Sequence, residues 1–124
     1  MNARWTSQDV ARVMNKAPRS KYGAKKVQID GIWFDSKREG ARYVELKMMQ
    51  KSGMIRDLEC HPKFPIGIKG NFICDVELDF KYLAPGFIGL GWYYEDVKGK
   101  DNPLSQLKRK LVEAEYGITV EVVR

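Results

Sequence analysis

Asp96 and Lys98 are the residues of this 124-residue chain best suited to chemistry. They close an aromatic run, Trp92-Tyr93-Tyr94-Glu95-Asp96-Val97-Lys98-Gly99-Lys100. On a strand, side chains alternate between faces, so Asp96 and Lys98 share a face with Trp92 and Tyr94 while Glu95 points away. A carboxylate and an amine side by side at a strand end can bind a divalent cation and handle a water molecule. Phosphodiester hydrolysis needs that pair, together with further carboxylates and a basic surface for a polyanion.

Two other stretches offer carboxylates. Phe72 to Tyr82 alternates strictly and reads as one strand. Phe72, Cys74, Val76, Leu78, Phe80 and Tyr82 would face the core, and Ile73, Asp75, Glu77, Asp79 and Lys81 the other side. Three carboxylates in a row repel one another unless solvated or neutralised by cations. The other candidate is Glu39. Ser36 and Glu39 have the spacing of a capping box that opens a helix running to about Lys51, with Gly53 as its stop. The cap and a metal-binding role compete for this carboxylate.

The elements that must position these groups follow in order. A short helix is expected before Pro18, then a basic arm from Arg19 to Lys26, which is a solvated linker or a phosphate contact. Val27 to Phe34 carries Asp30-Gly31 between two apolar alternations, the signature of a hairpin with a type I′ turn and Val27, Ile29, Ile32 and Phe34 on one face. On the Ser36 helix, Ala41, Val44 and Met48 form one apolar row and Tyr43 and Leu46 a second, which predicts protein on both sides. Met54 to Leu58 reads as a strand, and Cys60 to Pro65 as irregular or edge-like because proline cannot donate to a central ladder. Gly67 to Asn71 and Pro85-Gly86 read as turns, and Phe87 to Lys98 as a strand. Asn102-Pro103 starts a helix ending at Gly117, with Leu104, Leu107, Leu111 and Ala114 as its core stripe and Gln106, Arg109 and Lys110 projecting elsewhere. Ile118 to Val122 is a last strand.

Composition narrows the class. Hydrophobic content of 44% and charged content of 31% are ordinary for a soluble globular chain. No apolar run approaches a membrane span, and the N-terminus lacks the apolar core of a signal peptide, so cytoplasmic residence and no membrane partner are expected. Cys60 and Cys74 do not build a disulfide framework, and with His61 they are one ligand short of a zinc site. The lone His61 reads as structural or surface more readily than catalytic. The net charge of +6 favours a polyanionic partner. Basic residues crowd around Lys21, Lys25 and Lys26 and again around Lys98, Lys100, Lys108, Arg109 and Lys110, with the acidic island between them.

A helix, three strands, a helix and a strand, with carboxylates on the second and third strands, resembles the core of the PD-(D/E)XK nuclease superfamily, and within it a family of small phage proteins. The motifs are Phe34-Asp35-Ser36-Lys37-Arg38-Glu39, Leu78-Asp79-Phe80 and Glu95-Asp96-Val97-Lys98-Gly99, spread over roughly residues 21–123. The naming proline is absent, since Leu78 precedes Asp79. The resemblance implies an α/β (α+β) domain over 21–124, a mixed central sheet flanked by helices in the order α-β-β-β-α-β, preceded by a helix and basic arm over 1–20. It implies Asp79, Asp96 and Glu39 as ligands for Mg²⁺ or Mn²⁺, and Lys98 as the catalytic lysine. It places Gln106 where relatives often have a polar residue near the site, and the clustered basic charge adds Lys21, Lys25, Lys26, Lys100, Lys108 and Lys110 as expected DNA contacts. The expected activity is metal-dependent DNA cleavage, selective for branched or junction DNA in the manner of a Holliday-junction resolvase, in phage DNA metabolism and as a homodimer. The alternative is a non-catalytic nucleic-acid-binding or assembly module on the same fold.

Overall fold

The computed structural model describes residues 25–124. The expected N-terminal helix, Lys21 and most of the basic arm lie outside them. The chain is α+β. A hairpin, β1 (Val27–Ile29) and β2 (Ile32–Phe34), leads into helix α1 (Lys37–Lys51). Then come β3 (Arg56–Cys60), β4 (Lys63–Ile68), β5 (Asn71–Glu77), β6 (Phe80–Gly86) and β7 (Gly89–Val97). Helix α2 (Pro103–Tyr116) and β8 (Val120–Val123) complete it. The main sheet has the order β3-β6-β7-β8. Its first three strands are antiparallel, and β8 runs parallel to β7 because α2 carries the chain back across the sheet. No helix among the described residues is long and apolar enough to cross a membrane.

The local expectations for the hairpin and both helix starts match the structure. Asp30 and Gly31 both take positive φ, as a type I′ turn requires, and Val27 pairs with Phe34 and Ile29 with Ile32. Ser36 caps α1, its side chain accepting from the Glu39 N–H at 3.1 Å. Asn102 caps α2 with Pro103 at its first turn, and Gly117 closes that helix in the left-handed conformation.

Two cores sandwich the main sheet. On one side, Phe34, Tyr43, Leu46, Ile55, Phe80, Tyr82 and Val97 pack α1 and the hairpin onto it. On the other, Phe64, Ile66, Cys74, Val76, Leu78, Val112 and Val120 pack α2 and the β4–β5 hairpin. Gly40 lets α1 approach the hairpin, since a Cβ there would sit 2.8 Å from Val27 Cγ2 and 3.0 Å from Ile29 Cδ1.

Four readings of the sequence need correction. Phe72 to Tyr82 is two strands. β5 pairs with β4 alone, the Leu78 N–H donates to the Pro62 carbonyl, and the Asp79 N–H then donates to the Glu95 carbonyl, so the chain changes partners at Leu78-Asp79. The alternation survives this switch, but Cys74, Val76 and Leu78 feed one core while Phe80 and Tyr82 feed the other. Phe72, at the free end of its hairpin, stays exposed. The turn expected at Pro85-Gly86 falls at Phe87-Ile88, because β6 continues to Gly86 opposite Gly89. On α1 only one row is buried; Val44 and Met48 face outwards. On α2 the buried residues are Arg109 and Val112, flanked by Leu104 and Leu111, while Leu107 and Ala114 lie outwards. From that buried face Arg109 forms an ion pair with Asp96 of the sheet.

Candidate metal and catalytic site

Three elements converge where β6 begins and β7 ends. Glu39, in the first turn of α1, is buried at 5% exposure. Its Oε2 accepts from the Asp35 N–H at 3.3 Å, and its Oε1 lies 2.8 Å from His61 Nε2. The capping box is therefore half built. Serine caps the helix, while the glutamate is turned inwards with one oxygen on the histidine.

Asp79 occupies the junction between β5 and β6. Its Oδ2 accepts from the Val97 N–H at 2.6 Å, which fixes the carboxylate against the end of β7. Burial pushes this carboxyl up to about 9, with Glu39 and Asp96 adding to the push; the Val97 N–H and Lys98 oppose it. Asp96 is buried too, with Lys98 Nζ at 3.6 Å from Oδ1 and Arg109 Nη1 at 3.2 Å from Oδ2.

The fourth member is His61, between β3 and β4. It adopts φ of 56°, its N–H donates to the Asp79 carbonyl at 3.0 Å, and its ring packs on Phe34 with centroids 5.5 Å apart. Its hydrogen bond to Glu39 holds the imidazole above its ordinary range. One donor atom each from Glu39, His61 and Asp79 lie within 4.8 Å of one another, so the three can hold a metal ion. Of the expected ligands, the structure brings Glu39 and Asp79 together and adds His61; Asp96 lies outside this donor group, its two oxygens held by Lys98 and Arg109, though its charge and that of Lys98 act on Asp79. Cys60 and Cys74 belong to opposite cores, so no zinc site forms from them.

Sequence reasoning missed two ion-pair networks. Glu95, read as pointing away from Asp96, does so, yet it is buried at 1% exposure. Arg42 grips it with Nε at 2.8 Å and Nη2 at 2.7 Å, and the Tyr82 hydroxyl donates to it as well. Glu95 and Arg42 hold α1, and with it Glu39, against β7. Arg109 bridges Asp96 to Asp101, which it reaches through Nη1 at 2.9 Å and again through Nη2. The only signal for either network was an arginine on a helix near a strand carboxylate, which no spacing rule ranks.

Lys25, Lys26, Lys100 and Lys110 are exposed, as is Gln106, which shares a face of α2 with Lys110 four residues on. Lys26 lies 3.9 Å from Asp35. Lys108 is half-buried, and burial with nearby Lys98 pulls its amine below the ordinary range.

Residues 19–122 match the family described as "Protein of unknown function (DUF1064)". The chain belongs to this family. No curated protein and no solved structure matches it.

Proposed function

We propose that this DUF1064 chain is a divalent-metal-dependent endodeoxyribonuclease with a restriction-endonuclease-like core. The observation that carries the reading is the gathering of one donor atom each from Glu39, His61 and Asp79 within 4.8 Å, with Asp96 and Lys98 beside them, at one end of the sheet, where burial and then the charges of Glu39 and Asp96 raise Asp79. Mutually repelling carboxylates are costly to gather, and a cation is the usual compensation. The sheet supports the fold: α1, β3, β6, β7, α2 and β8 occur in that order, β3-β6-β7-β8 are adjacent, and β4–β5 is an inserted hairpin.

The donor set fits Mg²⁺ or Mn²⁺, both of which accept carboxylate oxygen and keep positions for water and phosphate. A bound cation supplies Lewis acidity to the phosphate and to the attacking water. The protein's own residues do the rest. The Val97 N–H orients Asp79, the Arg42–Glu95 pair sets the depth of Glu39, and Lys98 offers a cation beside Asp96 for charge developing on phosphate. The exposed Gln106, Lys110, Lys100, Lys25 and Lys26 would supply contacts to the DNA backbone. Contacts of that kind read shape more than sequence, which suits branched or junction DNA.

The test is cleavage of supercoiled plasmid and of a four-way junction in Mg²⁺, in Mn²⁺ and in EDTA. Cutting that requires metal and disappears in Asp96→Ala and Lys98→Ala is the expected result. Tight binding without cutting in either metal would favour the non-catalytic module and end the nuclease reading.

A further inference from the structure

We infer that His61 is a metal ligand, and that its nitrogen makes the site prefer Mn²⁺, or another cation that accepts imidazole, over Mg²⁺ and Ca²⁺. This rests on the metal-dependent reading above and adds to it the identity of the cation.

The carboxylates alone do not discriminate strongly, because hard oxygen donors serve Mg²⁺, Ca²⁺ and Mn²⁺ alike. An imidazole changes that. Mg²⁺ gives up its water shell reluctantly and is ordinarily bound by oxygen, whereas Mn²⁺ and the later divalent metals take nitrogen as well. The position of His61 is over-determined in a way a surface histidine's need not be. Its main chain is tied to that of another ligand residue by the N–H to Asp79 bond. Its backbone lies in the left-handed region, which histidine enters more readily than most residues but still at a cost. Phe34 supports one side of the ring. The ring nitrogen lies 2.8 Å from Glu39 Oε1, and the His61 side chain keeps 25% exposure where that of Glu39 keeps 7%. The three residues come from a helix, a connection and a strand junction; the Asp35 N–H holds the Glu39 carboxylate, the Val97 N–H that of Asp79, and the Asp79 carbonyl the main chain of His61.

A plain His61–Glu39 ion pair is the competing account, and it makes a different forecast. An ion pair requires no bond from nitrogen to metal. It would leave metal preference unchanged when histidine is replaced, provided folding survives. His61→Asn is the suitable variant, because asparagine also tolerates the left-handed backbone.

The experiment has two parts. Mn²⁺ is added to the full-length protein in place of any endogenous metal, and electron spin echo spectra are searched for modulation from a directly bound imidazole ¹⁴N. Calorimetry then compares Mn²⁺ and Mg²⁺ binding to wild type and to His61→Asn, with melting temperature as the check on folding. The expected results are ¹⁴N modulation in wild type that vanishes in the variant, and Mn²⁺ affinity lowered by roughly tenfold or more while Mg²⁺ affinity changes by less than about threefold. Mn²⁺ bound without ¹⁴N modulation overturns the role of His61 and leaves the nuclease reading standing. No binding of either metal at millimolar concentration overturns both. The wild-type spectrum decides the question even if the variant fails to fold.

Discussion

Replacing Asp79 with asparagine should make the metal-free protein more stable at neutral pH while removing its response to metal. The Asp79 carboxyl sits at about 9 in the folded chain against an ordinary 3.8. At pH 7 the folded protein therefore holds this proton and the unfolded chain does not. Each unit of difference is worth about 1.4 kcal/mol, so the roughly three units between 3.8 and 7 cost folding on the order of 4 kcal/mol. Part of the push is the charge of Glu39 and Asp96, which is coupled to that of Asp79 and not additive with burial, so about 2–4 kcal/mol is the expected gain. For a domain of this size that corresponds to roughly 10 °C in Tm. Asparagine is isosteric, and its Oδ1 can still accept from the Val97 N–H. The sign is set by the raised carboxyl: its favourable contribution is complete below pH 4 and is lost as pH rises towards 9. The gap between wild type and Asp79→Asn in EDTA should therefore be small at pH 4 and widen through pH 8. The imidazole of His61, held up by Glu39, loses its contribution in the same direction above its ordinary value, but both proteins share it and it largely cancels. Mn²⁺ should raise the melting temperature of wild type and not of the variant. Melting followed by circular dichroism at pH 4, 6, 7 and 8.5, with EDTA and with Mn²⁺, measures all of this. A variant that melts well below wild type at pH 7 in EDTA, or a gap independent of pH, would refute the reasoning.

Other perturbations have equally definite outcomes. Glu39→Gln keeps a side chain that can accept from the Asp35 N–H, so melting should hold within about 2 °C while cleavage falls by more than tenfold; intact cleavage would make Glu39 a cap and nothing more. Glu95→Ala leaves Arg42 and Tyr82 without their buried partner and should cost about 3 kcal/mol in urea unfolding, a figure a loss below 1 kcal/mol would contradict. Gly40→Val forces side-chain atoms into Val27 and Ile29 and should cost about 1–3 kcal/mol, with weaker metal binding as α1 is displaced; unchanged melting would mean the hairpin yields freely. Mn²⁺ binding at pH 7 should release about one proton or more, because Asp79 and His61 are both raised and ligands must be deprotonated. Calorimetry in buffers of different ionisation enthalpy reads that number, and a value of zero would contradict the assignment of both ligands.

The sequence determined the local structure well, for a physical reason. Turn chemistry at Asp30-Gly31, serine and asparagine at helix starts, and glycine at Gly117 act through neighbouring backbone atoms, so their consequences are written within a few residues. The parity of Asp96 and Glu95 is of the same kind, since strand geometry alone sends one towards Lys98 and the other to the opposite face. Tertiary structure decided what depends on distant partners. Whether Phe72 to Tyr82 is one strand or two turns on which strand receives each hydrogen bond, and alternation is blind to that, because the two cores lie on opposite sides of a sheet that the chain joins midway. The same switch separates the acidic island. Asp75 and Glu77 stay on the exposed side of β5, while Asp79, two residues further on, turns into the site. His61 offered no spacing signal, because its partner Glu39 lies 22 residues away and only the folding of α1 onto the sheet brings them within 2.8 Å. Charge pairs such as Arg42–Glu95 and Arg109–Asp96 remained illegible for that reason too: long side chains reach across elements, and only packing selects which cation meets which carboxylate.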